Sequence, residues 1–227
     1  MAQATEKYKF NVPPSTELHY IISAKQSGIP LDGSALVKWN VSGASFQLSS
    51  EARSSLLGKI LDSKSEGAID QYGLAPALST EKRWRKQATT ASFDRQNKLI
   101  TFSASDANYP IKGGEQDRNS VIWQLISVAR AVPAKFVPGS SWTFFVVGQR
   151  DAEPWIFKVV KQEKITTPLG DMGSLHVIRL PPPDSKGQQL DIWLAPGREW
   201  YPVRMRFTDP DRDYIEQSLV EVGKPAS

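Results

Sequence analysis

The chain has 227 residues, 40% of them hydrophobic, which is enough to bury a core and fits a single domain. Its formal net charge is +4, and the 28 Lys and Arg are spread along the chain, whereas a nucleic-acid-binding protein would concentrate them on one element. The lack of Cys excludes disulfides, thiolate catalysis and Cys-ligated zinc.

Two features concern the cellular compartment. No apolar run approaches the ~20 residues that a membrane-spanning helix requires. The first ten residues lack the apolar segment of a signal peptide. The chain is therefore expected to be either cytoplasmic or an exported protein whose signal peptide has been removed, and these features leave both open.

Alternation of apolar and polar residues predicts strands in the first half of the chain. They lie at residues 18–22, 35–41, 46–48 and 57–69, and a hairpin at residues 93–99 closes near Asn97. Residues 73–76, Gly-Leu-Ala-Pro, interrupt the pattern. A basic strand is predicted around Trp84, with Arg83 and Arg85 on one face. That face is either solvated or a contact for phosphate or anionic lipid.

The one convincing helix follows a polar, Gly-rich loop at residues 106–116. Asp117 is predicted to cap its N-terminus, because its carboxylate can accept hydrogen bonds from the amides of the first turn. Apolar residues at i, i+3 and i+4 spacing over residues 121–129 then cover a broad arc, and Pro133 ends the helix. Such a helix is expected to be buried on most sides.

The second half is predicted to consist of strands separated by short turns. The predicted strands are residues 142–147, 155–163, 175–180, 190–194, 201–207 and 214–222. The predicted turns are residues 170–173, 181–184, 196–198 and 209–211. Because every connection is short, neighbouring strands are expected to be antiparallel.

The predicted fold class is mainly β, with one or two helices. A large twisted sheet tends to curl, and an apolar helix would fill its concave face. We therefore expect a long antiparallel meander curled into a half-open barrel around a central apolar helix, with a two-sheet sandwich as the alternative. One β-rich domain is predicted over residues 15–222, between a flexible N-terminus at residues 1–14 and a flexible C-terminus at residues 223–227.

The order of several short motifs is the most informative feature of the chain. They are Ser27-Gly28-Ile29-Pro30, Gly33-Ser34-Ala35, Gly67, Gly73-Leu74-Ala75-Pro76, Phe93-Asp94, Gln116-Asp117-Arg118-Asn119-Ser120 with Gln124-Leu125, Thr167-Pro168-Leu169-Gly170, Trp193-Leu194-Ala195-Pro196, Tyr201-Pro202-Val203-Arg204 and Ile215-Glu216-Gln217-Ser218-Leu219. Each is weak alone, but in this order they resemble the bacterial family called domain of unknown function 3108. The resemblance covers nearly the whole chain. Asn119 departs from it, since an apolar residue is expected there.

The resemblance implies an exported protein of Gram-negative bacteria, usually made with a signal peptide and located in the periplasm or cell envelope. It also implies a β-rich fold related to the open barrels of periplasmic lipoprotein carriers. It implies no activity, because the family has none assigned.

No catalytic or metal-binding constellation stands out in the sequence. His19 and His176 are predicted to have structural or surface roles. Residues 209–213 resemble the opening of a calcium loop, but Tyr214 and Val220 stand where an EF-hand needs Gly and Glu, so a hairpin turn is expected. No nucleophile elbow or phosphate-binding loop is present. We therefore expect no enzymatic activity, no metal and no cofactor.

Four polar residues are candidates for a structural or binding role: Arg85, Asp94, Asp117 and Arg204. In the structural interpretation Asp117 caps the helix, Asp94 shapes a hairpin and the two Arg lie on strand faces. In the functional interpretation a buried Asp–Arg pair fixes the helix in the sheet or lines a pocket. Such a pair would need full hydrogen bonding to be stable.

The leading functional hypothesis is a non-enzymatic envelope protein that binds a lipid or another apolar ligand in the curled sheet. Its candidate lining residues are Trp39, Trp84, Phe102, Trp123, Phe144, Trp155 and Trp193, each of which could also be ordinary core. The rival is a protein-binding module of the envelope, because Trp200 with Arg204 and Arg206 on one strand face would suit a protein contact. The chain itself is expected to be a monomer. A hydrolase whose site the sequence does not reveal is the third hypothesis.

Overall fold

In a computed structural model, which describes residues 6–182 and 187–225, the chain forms one 15-stranded sheet and one α-helix. The first eight strands are β1 (Thr16–Gln26), β2 (Ile29–Ser42), β3 (Ser45–Ser54), β4 (Gly58–Asp70), β5 (Gly73–Arg83), β6 (Thr89–Asp94), β7 (Leu99–Phe102) and β8 (Asn108–Pro110). After β9 (Gln116–Asp117) and helix α1 (Ser120–Ala131) come β10 (Ser141–Val147), β11 (Ala152–Thr167), β12 (Gly170–Arg179), β13 (Gln189–Leu194), β14 (Pro202–Thr208) and β15 (Tyr214–Gly223). A single 3₁₀ turn, Pro196–Arg198, precedes β14 in this described part.

The strand order shows how the sheet is assembled from two meanders. It runs β8-β7-β6-β5-β4-β3-β2-β1-β15-β14-β13-β12-β11-β10-β9. The first and last strands therefore join the meanders at the middle of the sheet, where Glu17 of β1 lies opposite Gly223 of β15. Neighbouring strands are antiparallel except β9 and β10, which are parallel. The predicted curled, mainly β fold is confirmed at this level, and the sheet is not closed by a hydrogen-bonded ladder.

Side chains, rather than backbone pairing, link the two edges of the sheet. Tyr109 on edge strand β8 packs edge-to-face against Phe145 of β10, with ring centroids 5.8 Å apart. Near the other edge strand, the Gln116 amide donates to the carbonyl of Leu74 in β5 at 2.6 Å. The β8–β9 connection spans only residues 111–115, so these two edges are also neighbours along the chain.

Alternation places one face of each strand in the core. Leu18, Tyr20 and Ile22 of β1 are buried as predicted, and Tyr20 donates its hydroxyl hydrogen to the Pro202 carbonyl at 2.9 Å. The same holds for Trp39 of β2, whose indole N–H donates to the carbonyl of Pro13 at 3.0 Å. Burying a polar ring atom is inexpensive only when it is hydrogen-bonded, and both rings meet that condition.

Helix α1 begins three residues after Asp117. Asp117 is not the formal N-cap, which is Asn119, but its carboxylate accepts from the amides of Asn119 at 2.8 Å and Ser120 at 3.0 Å. The predicted hydrogen bonds between the Asp117 carboxylate and the amides at the helix start are therefore present, but the N-cap lies two residues after Asp117. Val121, Leu125 and other apolar residues of the helix are fully buried. The prediction that the helix is buried on most sides is confirmed.

Four local predictions were wrong. Residues 73–76 begin strand β5. Pro76 pairs in register with Gly67 beside a shift that leaves Ala77 unpaired, and β6 pairs with β5 only from Leu78 onward, so Pro76 lies next to a bulge and outside the β6 ladder. Trp84 and Arg85 lie in a turn, since Arg85 has a left-handed φ of 55°. Residues 170–173 belong to β12, because the tight turn lies one step earlier at residues 168–169. The predicted loop at residues 106–116 contains the short strand β8 and the start of β9.

The structure describes part of each chain terminus. Tyr8 packs edge-to-face on Trp142 at 5.2 Å, and the Asn11 amide donates to the carbonyl of Ser127 in α1 at 2.8 Å. The N-terminal segment predicted to be flexible is thus in contact with the core from Tyr8 onward. Residues 1–5, residues 226–227 and residues 183–184 of the turn predicted at 181–184 lie outside the described residues.

Candidate functional site

The seven aromatic residues predicted to line a ligand site lie in three environments. Trp39, Trp123 and Phe144 are buried in the core. Phe102, Trp155 and Trp193 are half-buried, and Trp84 is 40% exposed. The indoles of Trp39 and Trp123 stack with centroids 4.4 Å apart. Two of the three buried members therefore pack on each other, whereas Phe144 packs on Tyr8 and Phe157.

None of the seven aromatic candidates lines either of two cavities that border described residues. The larger, of about 410 Å³, is an open groove beside the β2–β3 turn, and its lining mixes Asn40, Gln47 and Glu66 with Phe46 and Ala77. The smaller, of about 10 Å³, holds no more than one water and is lined by polar residues such as Arg118 and Gln149. Neither is an enclosed apolar cavity of the kind that buries an acyl chain.

The four polar candidates are not brought together by the fold. Asp94 is exposed and accepts hydrogen bonds from Asn97 in the β6–β7 turn, at 2.9 Å from its amide. Arg85 is exposed, and its guanidinium lies 4.1 Å from the ring centroid of Trp84. Arg204 lies on β14, and its guanidinium donates to the carbonyl of Thr166 at 2.7 Å.

Asp117 is the buried carboxyl among the four candidates. It accepts from the hydroxyl of Ser65 at 2.5 Å as well as from the Asn119 and Ser120 amides. Complete burial raises the pKa of the Asp117 carboxyl, although these hydrogen bonds act in the opposite direction. Its hydrogen-bond partners are a hydroxyl and two backbone amides, so the predicted buried Asp–Arg pair is not formed at Asp117. The group instead ties the start of α1 to β4.

A second polar cluster lies on the sheet face opposite the core residues of strands β12 to β14. His176, Trp193 and Arg204 occupy one register row, and Asp191 and Arg206 lie in the row beside it. Their neighbours along the strands, such as Val177, Ile192 and Val203, are fully buried on the other face. Alternation therefore fixes which way the cluster points. We call His176, Asp191, Trp193, Glu163, Arg204 and Glu216 the outer-face cluster.

The Trp193 ring is held in place from several sides. His176 stacks on it with centroids 4.4 Å apart and planes only 4° from parallel. Its indole N–H donates to a carboxylate oxygen of Glu163 at 2.9 Å. The Arg204 guanidinium lies 5.6 Å from its centroid. A half-exposed indole with its orientation fixed in this way is a preorganised contact surface.

Carboxylates surround both nitrogens of His176. Nε2 lies 2.7 Å from Asp191 and Nδ1 lies 3.7 Å from Glu163. A neutral imidazole carries one N–H, whereas the protonated form can donate to both. The hydrogen bonds from Lys161 and Trp193 lower the pKa of the Glu163 carboxyl. Glu163 is therefore ionised at neutral pH.

The cluster continues across β14 and β15 as paired charges beside aromatic rings. Glu216 lies 3.6 Å from Arg204 and 3.5 Å from Arg206. The Arg206 guanidinium lies 4.0 Å from the ring centroid of Tyr214. The expected pairing of Trp200 with these Arg residues was wrong. Trp200 lies before β14 with φ 63° and packs edge-to-face on Phe136.

The outer-face cluster combines paired charges with aromatic rings. Among residues 6–182 and 187–225, no group of three or more His, Cys, Asp or Glu side chains is placed to hold a metal ion. His19 is far from His176 in the sheet, on β1 beside Glu17. What remains at the cluster is fixed charge and aromatic surface, which are the elements of a protein-binding surface.

Sequence reasoning singled out Trp193 and Arg204 but missed Glu163, Asp191 and Glu216 as their partners. These three carboxylates lie on different strands and meet only through the register of β11 to β15. A period-two pattern gives the face of each residue but not the register between strands. The charged positions that alternate with apolar ones at Asp191, Arg204 and Arg206 were the available clue.

The comparison with known families decides membership. The model of the family described as protein of unknown function DUF3108 matches residues 17–214. The chain belongs to this DUF3108 family. The resemblance found from the motifs is thereby confirmed over nearly the full length. No curated protein matches the chain.

Solved structures similar to this DUF3108 protein show its fold. A β-barrel-like protein of the DUF1849 family from Brucella abortus is 12% identical, with a TM-score of 0.64, and the match covers 94% of this chain and 99% of that one. A domain named as an outer membrane lipoprotein-sorting protein from Vibrio parahaemolyticus has 9% identity, a TM-score of 0.36 and coverages of 92% and 84%. At this sequence identity the Brucella abortus protein supports the fold alone. The TM-score of the Vibrio parahaemolyticus domain is too low to support any inference.

The structure also bears on membrane spanning by helices. Within the part of the chain that it describes, no helix has the length and apolar character needed to cross a bilayer.

Proposed function

We propose that this DUF3108 protein is a non-enzymatic, exported protein of the bacterial envelope that binds a protein partner through the outer-face cluster. The observation that carries the proposal is Trp193, stacked on His176 and held through its N–H by Glu163. Its location in the envelope or periplasm is supported by the family resemblance. A monomer is the simplest state in which the cluster stays available to a different protein.

The composition of the cluster favours a protein partner. Trp, Tyr and Arg dominate the binding energy of protein interfaces, and Trp193, Tyr214, Arg204 and Arg206 lie together on β13 to β15. Because the indole and guanidinium groups are already positioned, little side-chain entropy is lost on binding. The rows of mixed charge on either side would give the contact its specificity.

The packing of the interior makes an enclosed apolar ligand the weaker alternative. We propose that α1 fills the space around which the sheet curls, since Trp123 stacks on Trp39 and contacts Tyr201 at 6.0 Å. The larger cavity is an open groove with Asn40, Gln47 and Glu66 in its lining. A lipid carrier would need the core to open, whereas a surface interaction requires no rearrangement.

Site-specific photocrosslinking in the bacterial envelope tests the proposal. A photoreactive residue at Ser218, beside Arg204 in register, is expected to give one discrete protein adduct, while the same residue at Ile156 on β11 gives none. Arg206→Glu should reduce the adduct at least tenfold, because it reverses one charge of the surface. The unfolding midpoint of the variant verifies that its fold is intact.

Two results would overturn the proposal. One is an adduct that forms equally at Ser218 and Ile156. The other is a lipid-sized mass that remains bound in native mass spectrometry, together with no protein adduct, which would restore the apolar-ligand hypothesis.

A further inference from the structure

The exposed apolar residues of the first meander are concentrated at one end of the sheet. Leu56 and Leu57 in the β3–β4 turn are 82% and 47% exposed, and Ile29 at the β1–β2 turn is 61% exposed. Trp84 follows β5 and lies at the same end, because its amide donates to the carbonyl of Ile60 in β4. We call Ile29, Leu56, Leu57 and Trp84 the apolar rim.

Strand pairing places these turns side by side. Gly33 of β2 lies opposite Ser54 of β3, and Leu61 of β4 lies opposite Arg83 of β5. Successive turns are therefore about 10 Å apart, since each lies two strands from the next. Leu56 and Leu57 extend about three residues beyond Ile60, where Trp84 is attached, so the β3–β4 turn projects beyond the β5–β6 turn. The β1–β2 turn projects further still, because Ile29 lies four residues beyond Gly33, whereas Leu56 lies two residues beyond Ser54.

Basic residues flank the apolar rim on the side of Trp84. Arg53 and Lys59 flank Leu56 and Leu57, and their charges are balanced by Glu51 and Asp62. Lys82, Arg83, Arg85 and Lys86 flank Trp84, and of these Arg83 pairs with Glu81. Near Ile29 there are two further carboxylates, because Asp32 lies opposite Ser23 and Asp213 accepts a hydrogen bond from the Ser27 amide at 2.6 Å. Within the described residues Lys82, Arg85 and Lys86 have no carboxylate partner, so the net positive charge of the rim lies around Trp84.

We propose that the apolar rim docks on an anionic lipid bilayer. Projecting Leu and Trp side chains can enter the acyl boundary, and surrounding Lys and Arg meet the phosphate layer. A protein partner would need a pocket complementary to these projecting aliphatic side chains, whereas a bilayer accepts them in any orientation. The charge identifies the lipid class, because each cation near an anionic surface increases binding roughly fivefold.

The proposal is independent of the outer-face cluster, which lies elsewhere on the sheet. The two surfaces are compatible, because docking through the turns at one end leaves the outer faces of β12 to β15 uncovered.

Vesicle flotation with the full chain tests the proposal. We expect binding to vesicles of phosphatidylethanolamine and phosphatidylglycerol, at least tenfold weaker binding to phosphatidylcholine, and loss of binding in high salt. Leu56→Ser combined with Leu57→Ser should weaken binding at least tenfold. The control Ile156→Ser, which removes an apolar side chain 56% exposed on β11, should leave it unchanged.

A second pair of variants isolates the charge. Arg85→Glu with Lys86→Glu should abolish the preference for phosphatidylglycerol, whereas Lys135→Glu with Lys158→Glu, which makes the same net change elsewhere, should reduce binding far less. Tryptophan emission should shift to the blue on vesicles, and Trp84→Phe should remove most of that shift.

Three outcomes would overturn the proposal. The first is that no vesicle binds the chain, and the second is that the serine variant binds as well as the parent protein. The third is that vesicles do not bind while the serine variant loses the crosslink formed at Ser218, which would assign the rim to a protein interface.

Discussion

The indole of Trp123 in helix α1 lies flat against the indole of Trp39 on β2, with ring centroids 4.4 Å apart and planes inclined by 13°. The two residues are 84 positions apart in the sequence and both are buried. This stack attaches the helix to the N-terminal meander, while the helix itself lies in the chain between β9 and β10. It therefore connects the helix to a strand that is not a neighbour of β9 or β10 in the sheet.

Trp123→Ala should destabilise the protein by about 3–5 kcal/mol, because it removes a large buried ring and leaves a cavity against Trp39. Urea denaturation measures the change in the free energy of unfolding. Trp84→Ala removes the same ring from an exposed turn and should change it by no more than about 0.5 kcal/mol. Equal losses in the two variants would show that the stack does not hold the helix.

The stability of the Asp117→Asn variant should increase relative to that of the parent protein as the pH rises above about 4. Burial raises the pKa of Asp117 from its ordinary value of 3.8, so ionisation costs more in the folded state than in the unfolded state. The parent protein therefore loses this contribution as the pH increases through the raised pKa, and the Asn variant does not. Urea titrations of both proteins across this pH range measure the difference.

Asp94→Asn is the matched control for Asp117, with the opposite sign. The hydrogen bonds from Asn97 lower the pKa of the exposed Asp94 carboxyl. The stability of the parent protein should therefore increase relative to that of its Asn variant as the pH rises. A difference between Asp117→Asn and the parent protein that does not vary with pH would contradict the assignment of Asp117 as a carboxyl that ionises at a cost.

Gly113→Ala should be destabilising by about 2–5 kcal/mol. Gly113 has a φ of 110°, and a methyl group there would lie 2.4 Å from the ring of Tyr72. Backbone strain and overpacking each cost about 1–3 kcal/mol. Gly139→Ala places a methyl group at a φ of 92° with nothing within 4 Å, so the destabilisation it causes measures backbone strain alone. Thermal unfolding of both variants gives the difference, and equal effects would exclude the clash with Tyr72.

The sequence predicted the strands well because burial on one face imposes a period of two. Leu18, Tyr20 and Ile22 alternate, and so do the core residues of β2. The same rule fails where the backbone departs from regular pairing. Pro76 was interpreted as a breaker, since a bulge that accommodates proline depends on the neighbouring strand and leaves no mark in its own sequence. The turn at Arg85 was missed because its left-handed φ belongs to a residue other than Gly or Asn.

The candidate site was less predictable than the fold. Trp193 and Arg204 were identified by residue type, but their contact follows from the pairing of β13 with β14. Similarly, nothing in the local sequence of Asp117 specifies Ser65 as its partner, because that hydrogen bond crosses from β9 to β4. The ligand-lining role of the seven aromatic residues stays a prediction, and the stack of Trp39 on Trp123 gives two of them an alternative role in packing.

The strand order has a consequence for folding. Because Glu17 and Gly223 are opposite each other and β8 is followed directly by β9, the topology is circular in all but its covalent ends. A permuted chain that joined the present termini and opened at Gly114 would have every strand beside its neighbour in sequence. The natural chain must instead pair its first long strand with its last, a high-contact-order step that is intrinsically slow. The sheet cannot be completed until β15 has been synthesised, so the two meanders must persist as separate partial structures until then.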